Sequence, residues 1–301
     1  MRVAVILNPK AGRGRGDKLQ PAITATLERL AGEMAMEWTL ERTLGPDDAK
    51  KLAGRLAEEG WRRIVAAGGD GTLGQVADGL VGTGCMLGYL PIGTGNDFAR
   101  ALQYPSSIQV EEIIRRIVES NGRRLDLGKI SLPNSDRCFH FVNSVGCGLD
   151  AGVAHRVNRG YRHIKGKWAY IAALVEVLLH FSPVPMRLAV DDTVIEERLM
   201  LACISNGTSY GGGMLIAPHA RWDDGLLEVI LVRACGKFEL LRALPSVFRG
   251  KHLSHPKVIS LQVRRIRIES EDPAPLMVDG ETDYITPAEI EVCPGIIQIA
   301  V

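Results

Sequence analysis

The stretch Ala66-Ala67-Gly68-Gly69-Asp70-Gly71-Thr72-Leu73 places three glycines and one carboxylate in a single short segment. It follows a β-like apolar run at 63–65 and precedes a helix-like run that ends at Leu80. A glycine turn between a strand and a helix directs backbone N–H groups and a helix N-terminus at an anion. Because Asp70 would repel a bare phosphate, its presence here suggests a bridging Mg²⁺ ion or a proton-transfer role.

A second turn of the same kind, Pro91-Ile92-Gly93-Thr94-Gly95-Asn96-Asp97, follows a strand-like run at 86–90. Two acid-bearing glycine turns at the carboxyl ends of adjacent parallel strands are typical of a nucleotide-phosphate site. The Thr94 hydroxyl can donate to a phosphate or ribose oxygen. The alternative is that Asp70, Asn96 and Asp97 only cap the helices that follow them.

The composition is that of an ordinary folded protein. The chain has 301 residues, 46% hydrophobic and 24% charged, which suits two domains. A formal net charge of +1 does not favour a nucleic-acid partner, so none is expected. The cysteines form no Cys-x-x-Cys pair, and neither a signal peptide nor an apolar run of membrane-spanning length is apparent, so we expect a cytoplasmic protein.

The first part of the chain alternates between strand and helix patterns. Strand-like runs at 3–7 and 36–43 are each followed by a helical pattern, up to about residue 31 and over 47–59. This alternation predicts a parallel sheet covered by helices. The predicted α/β domain covers residues 1–124.

The rest of the chain, 125–301, has a different pattern. Short strand-like runs at 127–132, 138–145, 186–190, 198–205, 226–232, 262–269 and 290–293 are interrupted by one helical stretch at about 161–181. This pattern predicts a second, β-rich and antiparallel domain.

The chain resembles a known family. The glycine and arginine loop Asn8-Pro9-Lys10-Ala11-Gly12-Arg13-Gly14-Arg15-Gly16 and the two acidic turns together look like the bacterial diacylglycerol kinases and YegS-like lipid kinases, relatives of sphingosine kinases and NAD kinases. The resemblance continues through four later segments in the family's order: Gly211-Gly212-Gly213-Met214, Asp223-Asp224-Gly225-Leu226, His255-Pro256-Lys257 and Val278-Asp279-Gly280-Glu281.

The resemblance implies a fold and an activity. It implies an N-terminal NAD-kinase-like α/β domain, a C-terminal antiparallel β-sandwich-like domain, and an active site in the cleft between them, with the last strand returning to the first domain. ATP and Mg²⁺ are the implied cofactors, and a phosphoryl group would pass to a hydroxyl of diacylglycerol or a related lipid. The residues that the resemblance implies for nucleotide binding are Asn8, Thr43, Gly68, Gly69, Asp70, Gly71, Thr72, Thr94, Asn96 and Asp97.

The resemblance also implies metal and catalytic residues. Asp70, Asp97 and Asp224 would form a metal–water network, and a structural Mg²⁺ would lie near Asp224 with backbone oxygens of Arg221 and Leu226. Without the resemblance, a simple turn explains Asp223-Asp224-Gly225 equally well. Asp279-Gly280 is likewise a common hairpin turn. By resemblance Glu281 is the general base that deprotonates the lipid hydroxyl, with Asp279 as the other candidate and Asp70 as a further catalytic residue.

Two features qualify this interpretation. Relatives usually carry Asn, His or Ser and then Glu where this chain has Gly74 and Gln75, so the nucleotide site could be looser or the acceptor different. The basic stretch at 155–168 could attract anionic lipid headgroups, which predicts a lipid acceptor at the membrane surface and peripheral association, or it could be a solvated loop. The alternatives are a kinase of a soluble acceptor, as NAD kinases are, and a nucleotide-binding regulatory protein without catalysis. A homodimer is left open.

Overall fold

The structure is a computed structural model that describes residues 1–104, 109–160 and 167–301. The helices described are α1 (Ala11–Met34), α2 (Asp48–Glu58), α3 (Asp70–Leu80), α4 (Asp97–Ala101), α5 (Val110–Glu119), α6 (Leu149–Gly160), α7 (Lys167–His180) and α8 (Lys237–Val247), with a 3₁₀ turn at Lys251–Ser254. The strands described are β1 (Arg2–Leu7), β2 (Glu37–Arg42), β3 (Arg63–Gly68), β4 (Met86–Pro91), β5 (Arg123–Leu132), β6 (Arg137–Phe141), β7 (Ser144–Gly148), β8 (Val184–Val190), β9 (Thr193–Ser205), β10 (Leu227–Arg233), β11 (Val258–Val263), β12 (Arg265–Ser270), β13 (Pro275–Val278), β14 (Glu281–Ile285) and β15 (Ala288–Ile299).

The N-terminal region is a parallel sheet in the order β4-β3-β1-β2 with helices on both faces. Successive residues of β1 point to opposite faces, as in any strand. Val3, Val5 and Leu7 therefore pack with α1 and α5, whereas Ala4 and Ile6 pack with α2 and α3. Burial on both faces explains why β1 is a continuous apolar run.

The C-terminal region is antiparallel. Its strands follow the order β14-β13-β7-β9-β8-β12-β15, and β10 and β11 extend from β9. One core lies among these strands, and α6, α7 and α8 contribute to two further apolar clusters. The predicted fold class, a parallel α/β part followed by an antiparallel β-rich part, is confirmed.

Strand β15 belongs to both regions. Residues 288–291 pair antiparallel with β12, residues from 289 to 299 pair antiparallel with β5, and Gln298 and Ile299 pair in parallel with β4. The chain thus returns to the edge of the parallel sheet. The predicted division at 124/125 falls inside β5, and the domain limits stay a prediction.

Several predicted elements were wrong in detail. The predicted strand 138–145 is two strands, since the chain turns at Val142 and Asn143, and the run 262–269 is also two, interrupted at Arg264. Two further helices, α6 and α8, accompany the predicted helix at 161–181, of which residues 161–166 lie outside the described part. No helix in the described ranges combines the length and apolar character needed to cross a membrane.

Candidate active site

Asp70 joins the two glycine turns. It is the first residue of α3. Its Oδ2 accepts a hydrogen bond from Asp97 N at 3.0 Å and its Oδ1 accepts one from Phe98 N at 3.1 Å. These donors form the first turn of α4, where N–H groups otherwise lack partners. Asp70 therefore holds α4 against α3, a role that capping of α3 alone does not account for.

Asp97 is the second carboxylate of the site and is buried, at 5% exposure. Its Oδ1 accepts from Arg100 Nη1 at 2.7 Å, and its Oδ2 accepts from Gly212 N at 2.9 Å. Burial and the nearby Asp70 charge raise the pKa of Asp97 to about 6. Burial also raises the pKa of Asp70. Two neighbouring carboxylates, Asp97 buried and Asp70 half-buried, resist simultaneous ionisation and so form a site that favours a proton or a cation.

The turn Asp279-Gly280-Glu281 packs against α3, and Asp279 fixes it there. Asp279 Oδ2 accepts from Val142 N at 2.8 Å, and Oδ1 accepts from Asn143 N and Ser144 N, both at 2.9 Å. Burial raises the pKa of this carboxyl to about 7, although the three N–H groups act in the opposite direction.

The lack of a side chain at Gly74 allows the turn Asp279-Gly280-Glu281 to pack closely against α3. A Cβ atom at this position would lie 2.7 Å from Asp279 Oδ2, closer than real Cβ contacts allow. The absence of a side chain at position 74 is therefore a packing requirement of this turn.

Glu281 lies beside the first turn of α3. Its Oε1 accepts from Gln75 Nε2 at 3.0 Å, and its Oε2 accepts from Tyr284 Oη at 3.1 Å. Gly74 and Gln75, the two residues that depart from the usual family pattern, thus contact the turn directly. Gly74 leaves room for Asp279, and Gln75 donates a hydrogen bond to Glu281.

A cavity of about 530 Å³ opens on the same face of α3. The predicted residues that line it are Asn8, Thr43, Gly69, Gly71, Thr72, Thr94 and Glu281. Asn8 Nδ2 donates to Thr72 Oγ1 at 3.1 Å, which links the first loop to α3. We call this space the glycine cavity.

Four further residues predicted to bind nucleotide do not line the glycine cavity: Gly68, Asp70, Asn96 and Asp97. The Gly68 carbonyl accepts from Ile92 N and Gly93 N, and Asn96 Nδ2 donates to the Gly93 carbonyl. Asp70 and Asp97 form the carboxylate pair already described.

Arg221, Asp224 and Leu226 lie in one turn before β10. Asp224 is exposed, and its Oδ1 accepts from Leu226 N at 3.1 Å. Trp222 in the same turn donates its indole N–H to Ala101 O, at the C-terminal end of α4, whereas Asp70 holds the N-terminal end. Within the described ranges, no hydrogen bond joins Asp224 to Asp70 or Asp97, and no three His, Cys, Asp or Glu side chains group as metal ligands. The network with Asp224 stays a prediction.

Sequence reasoning missed several residues of this site. Two of them are Arg100, which donates to Asp97, and Tyr284, which donates to Glu281. Buried Asp126 accepts from Gly225 N and Gly295 N, both at 2.6 Å, and so fixes the turn that carries Asp224. No local sequence pattern predicts these contacts, because the partners of Asp126 lie 99 and 169 residues away in the chain.

Two family models match the chain. Residues 2–130 match the diacylglycerol kinase catalytic domain, and residues 143–301 match the YegS C-terminal NAD kinase beta sandwich-like domain.

Individual proteins match over almost the whole chain. The diacylglycerol kinase of Mycobacterium tuberculosis is 30% identical over 302 residues, covering 99% of this chain and 94% of the relative. The diacylglycerol kinase of Staphylococcus haemolyticus is 32% identical, covering 96% and 87%. A crystal structure of a diacylglycerol kinase from Bacillus anthracis has a TM-score of 0.78 at 25% identity, covering 99% and 96%. The chain therefore belongs to the diacylglycerol kinase family of lipid kinases.

Proposed function

We propose that this protein transfers the γ-phosphoryl group of ATP to the hydroxyl of diacylglycerol or a related lipid, with Mg²⁺. The observation that carries the proposal is the docking of Asp279-Gly280-Glu281 on α3. It places the carboxylate of Glu281 on the wall of the glycine cavity, next to the phosphate-type turn that contains Gly71 and Thr72.

The glycine cavity is the proposed ATP site. Its wall includes the N-terminus of α3 and the hydroxyl residues Thr43, Thr72 and Thr94, which are suitable donors for phosphate and ribose oxygens. Asp70 and Asp97 fit a magnesium ion, because they are hard oxygen donors whose buried charges repel each other. A bound ion there would neutralise charge that develops on the transferring phosphoryl group. Glu281 would accept the lipid hydroxyl proton as the new O–P bond forms and the bond to ADP breaks.

An apolar cavity next to this site is the proposed acceptor pocket. It measures about 90 Å³ and is lined mainly by side chains of α7, α8 and the neighbouring strands, including Leu174 and Leu244. Tyr210 and Met214 also line it, and they flank the turn whose Gly212 N–H binds Asp97. Since ligand pockets usually exceed about 300 Å³, a lipid must displace side chains of α7 or α8 to enter.

The surface around α7 and α8 suits the interfacial region of a membrane. Trp168, Leu179 and Phe238 are 63%, 60% and 78% exposed. Lys237 donates to the Leu179 carbonyl, so the C-terminal end of α7 lies beside the start of α8, which carries Phe238. The basic stretch 155–168 precedes them, although its residues 161–166 lie outside the described part. Apolar side chains beside cations favour binding to anionic lipid, which supports the proposed peripheral membrane association.

The non-catalytic alternative rested on the loss of a side chain at position 74. Gly74 instead makes room for Asp279, so the departure is accounted for by the packing of the site. No observation favours a soluble acceptor.

The test is to incubate the protein with γ-labelled ATP, Mg²⁺ and mixed micelles that contain diacylglycerol, and to identify labelled lipid. We expect labelled phosphatidic acid, loss of activity in Asp70→Ala and Glu281→Gln, and near-normal activity in Asp283→Asn, a matched control with an exposed carboxylate on the same strand. Leu174→Trp should lower kcat/KM for the lipid without changing KM for ATP. Label appearing in NAD and not in lipid would contradict the proposal.

A further inference from the structure

The apolar cavity beside α7 and α8 contains a buried carboxyl group with an unused oxygen. Asp150, the second residue of α6, is 2% exposed and lines this cavity. Its Oδ1 accepts a hydrogen bond from Ala151 N at 2.9 Å, whereas its Oδ2 has no partner among the described residues. A buried polar atom without a partner costs free energy, so this oxygen needs an explanation.

The position of the carboxyl is built into the neighbouring strand. Asp150 Oδ2 lies against Gly146 of β7, and a Cβ atom at Gly146 would come much closer to this oxygen than real Cβ contacts allow. The carboxyl therefore occupies space that only a glycine leaves free.

His252 brings a second unused polar atom to the same cavity. This side chain is buried, and its Nε2 lies 2.9 Å from the carbonyl of Ile216. Because a carbonyl only accepts, Nε2 carries the hydrogen, and Nδ1, which has no partner in the described part of the chain, is an acceptor. A few unpaired polar groups in an otherwise apolar cavity are typical of a ligand site.

The surroundings of Asp150 keep its carboxyl protonated. The titratable groups that act on it or on which it acts are two thiols and two phenols, all with pKa values raised by burial: Cys147, Cys203, Tyr170 and Tyr210. None of these groups is a cation. Burial raises the pKa of Asp150 to about 8, although the Ala151 N–H acts in the opposite direction. Since Oδ1 accepts that N–H, the proton is carried by Oδ2, which is then a hydrogen-bond donor.

This donor lies on the side of the cavity that adjoins the carboxylate pair. The pKa of Tyr170 is raised by burial and by the charges of both Asp150 and Asp97, so its hydroxyl is within electrostatic reach of the two carboxyls. Asp97 also accepts from Gly212 N, and residues that flank Gly212 line the cavity. A lipid bound at Asp150 thus has its polar end close to the carboxylate pair.

We propose that Asp150 is a specificity-determining residue whose protonated Oδ2 donates a hydrogen bond to an ester carbonyl of a neutral glycerolipid. The proposal rests on the proposed function, in which this cavity takes the lipid acceptor. An ester carbonyl only accepts, so it matches a donor. The ammonium group of a long-chain amine would need an ionised Asp150, which the apolar surroundings disfavour. The pocket therefore selects an ester lipid over an amine.

The test compares two lipids that differ only in their carbonyl groups. 1,2-Dioctanoylglycerol and 1,2-di-O-octylglycerol have the same free hydroxyl and chains of equal carbon number, but the second is a diether without carbonyls. Wild type should show about tenfold higher kcat/KM for the ester, because only the ester supplies an acceptor to Asp150 Oδ2. The difference should lie in KM for the lipid, with KM for ATP unchanged.

Two variants separate the donor from packing. Asp150→Asn keeps an N–H donor in nearly the same shape and should retain most of the preference for the ester. Asp150→Ala removes the donor and should reduce the preference to about twofold or less, mainly by weakening the ester. Asp192→Ala, at an exposed position between β8 and β9, is the matched control and should behave as wild type. If Asp150→Ala keeps the wild-type preference, or lowers kcat equally for both lipids, the proposal is wrong.

Lipid binding followed by thermal unfolding needs no turnover and separates this proposal from the proposed function. A ligand that binds the folded state raises the melting temperature. The ester should raise the melting temperature of wild type more than the diether does, and the two lipids should act equally on Asp150→Ala. Wild type that shows this difference but makes no labelled phosphatidic acid overturns the proposed function alone. Equal shifts with the two lipids in wild type, or a larger shift with a long-chain amine than with the ester, overturn the role of Asp150.

Discussion

Gly74→Ala tests whether the turn at 279–281 docks on α3 as described. Gly74 is inside α3, where an alanine normally improves helix stability by about 1 kcal/mol. The added Cβ would lie 2.7 Å from Asp279 Oδ2. That oxygen cannot move away freely, because it accepts a hydrogen bond from Val142 N at 2.8 Å and the half-buried Asp279 carboxylate is also held by Asn143 N and Ser144 N.

The expected magnitude follows from these two opposing effects. Displacing the carboxylate by a few tenths of an ångström weakens a hydrogen bond to a charged group, worth about 1.5–3 kcal/mol when lost. This exceeds the helix-propensity gain of about 1 kcal/mol, so Gly74→Ala should lower the free energy of unfolding by about 0.5–2 kcal/mol. For a chain of this size the melting temperature should fall by about 1–3 °C. The displaced turn should also carry Glu281 with it and reduce kcat.

Gly54→Ala is the matched control, because Gly54 is in the middle of α2, a helix of the same 11-residue length. A Cβ there meets only Gly79 O at 3.9 Å, an ordinary contact. Gly54→Ala should therefore raise the melting temperature by about 1–2 °C. Thermal unfolding followed by circular dichroism measures both variants. If Gly74→Ala also stabilises the protein and keeps full activity, the close approach of Asp279 to α3 does not exist.

Three further predictions concern buried ionisable groups. Asp97→Asn should abolish lipid phosphorylation yet raise the melting temperature at pH 8. The pKa of Asp97 in the folded protein, about 6, exceeds the ordinary value, so wild type loses stability as pH rises from about 4 to 6. In a thermal pH series the melting temperatures of the two proteins should converge near pH 4. Burial lowers the pKa of His140, but its contact with Asp78 outweighs this and raises the pKa to about 9. Wild type should therefore lose about 3 kcal/mol of stability between about pH 6.5 and 9 in urea unfolding, and a flat difference between wild type and His140→Ala over that range would refute the ion pair. Asp126→Asn should destabilise the protein by about 2–3 kcal/mol in the same assay, because an amide offers one acceptor oxygen to two backbone N–H groups, and an unchanged urea midpoint would count against these contacts.

The sequence predicts those features that depend on local order. Burial of β1 on both faces produces the apolar run at 3–7, and the alternation of strands with amphipathic helices predicts the parallel sheet. The two glycine turns were identified because glycine and acidic residues are clustered within a few positions. The resulting pairing of Asp70 with the start of α4 spans only 27 residues.

Features that depend on long-range contacts were not predicted. The strand predicted at 138–145 is apolar enough to continue, but it breaks at Val142 and Asn143 because their N–H groups donate to Asp279, which is 137 and 136 residues away. No periodicity in the strand contains this information. Helix α8 was missed because Pro245 interrupts its pattern and none of its described side chains is fully buried.

The same reasoning explains why positions 74 and 75 are misleading when the sequence is considered alone. Judged against a family pattern, a glycine and a glutamine in place of polar and acidic residues suggest a weakened nucleotide site. In the folded chain they are consecutive residues of α3 that meet Asp279 and Glu281, which are separated by one residue in the opposing turn. A side chain at 74 would push the turn outward and so lengthen the hydrogen bond from the Gln75 amide to Glu281. The two departures therefore act together, and the structural consequence of either one depends on the other.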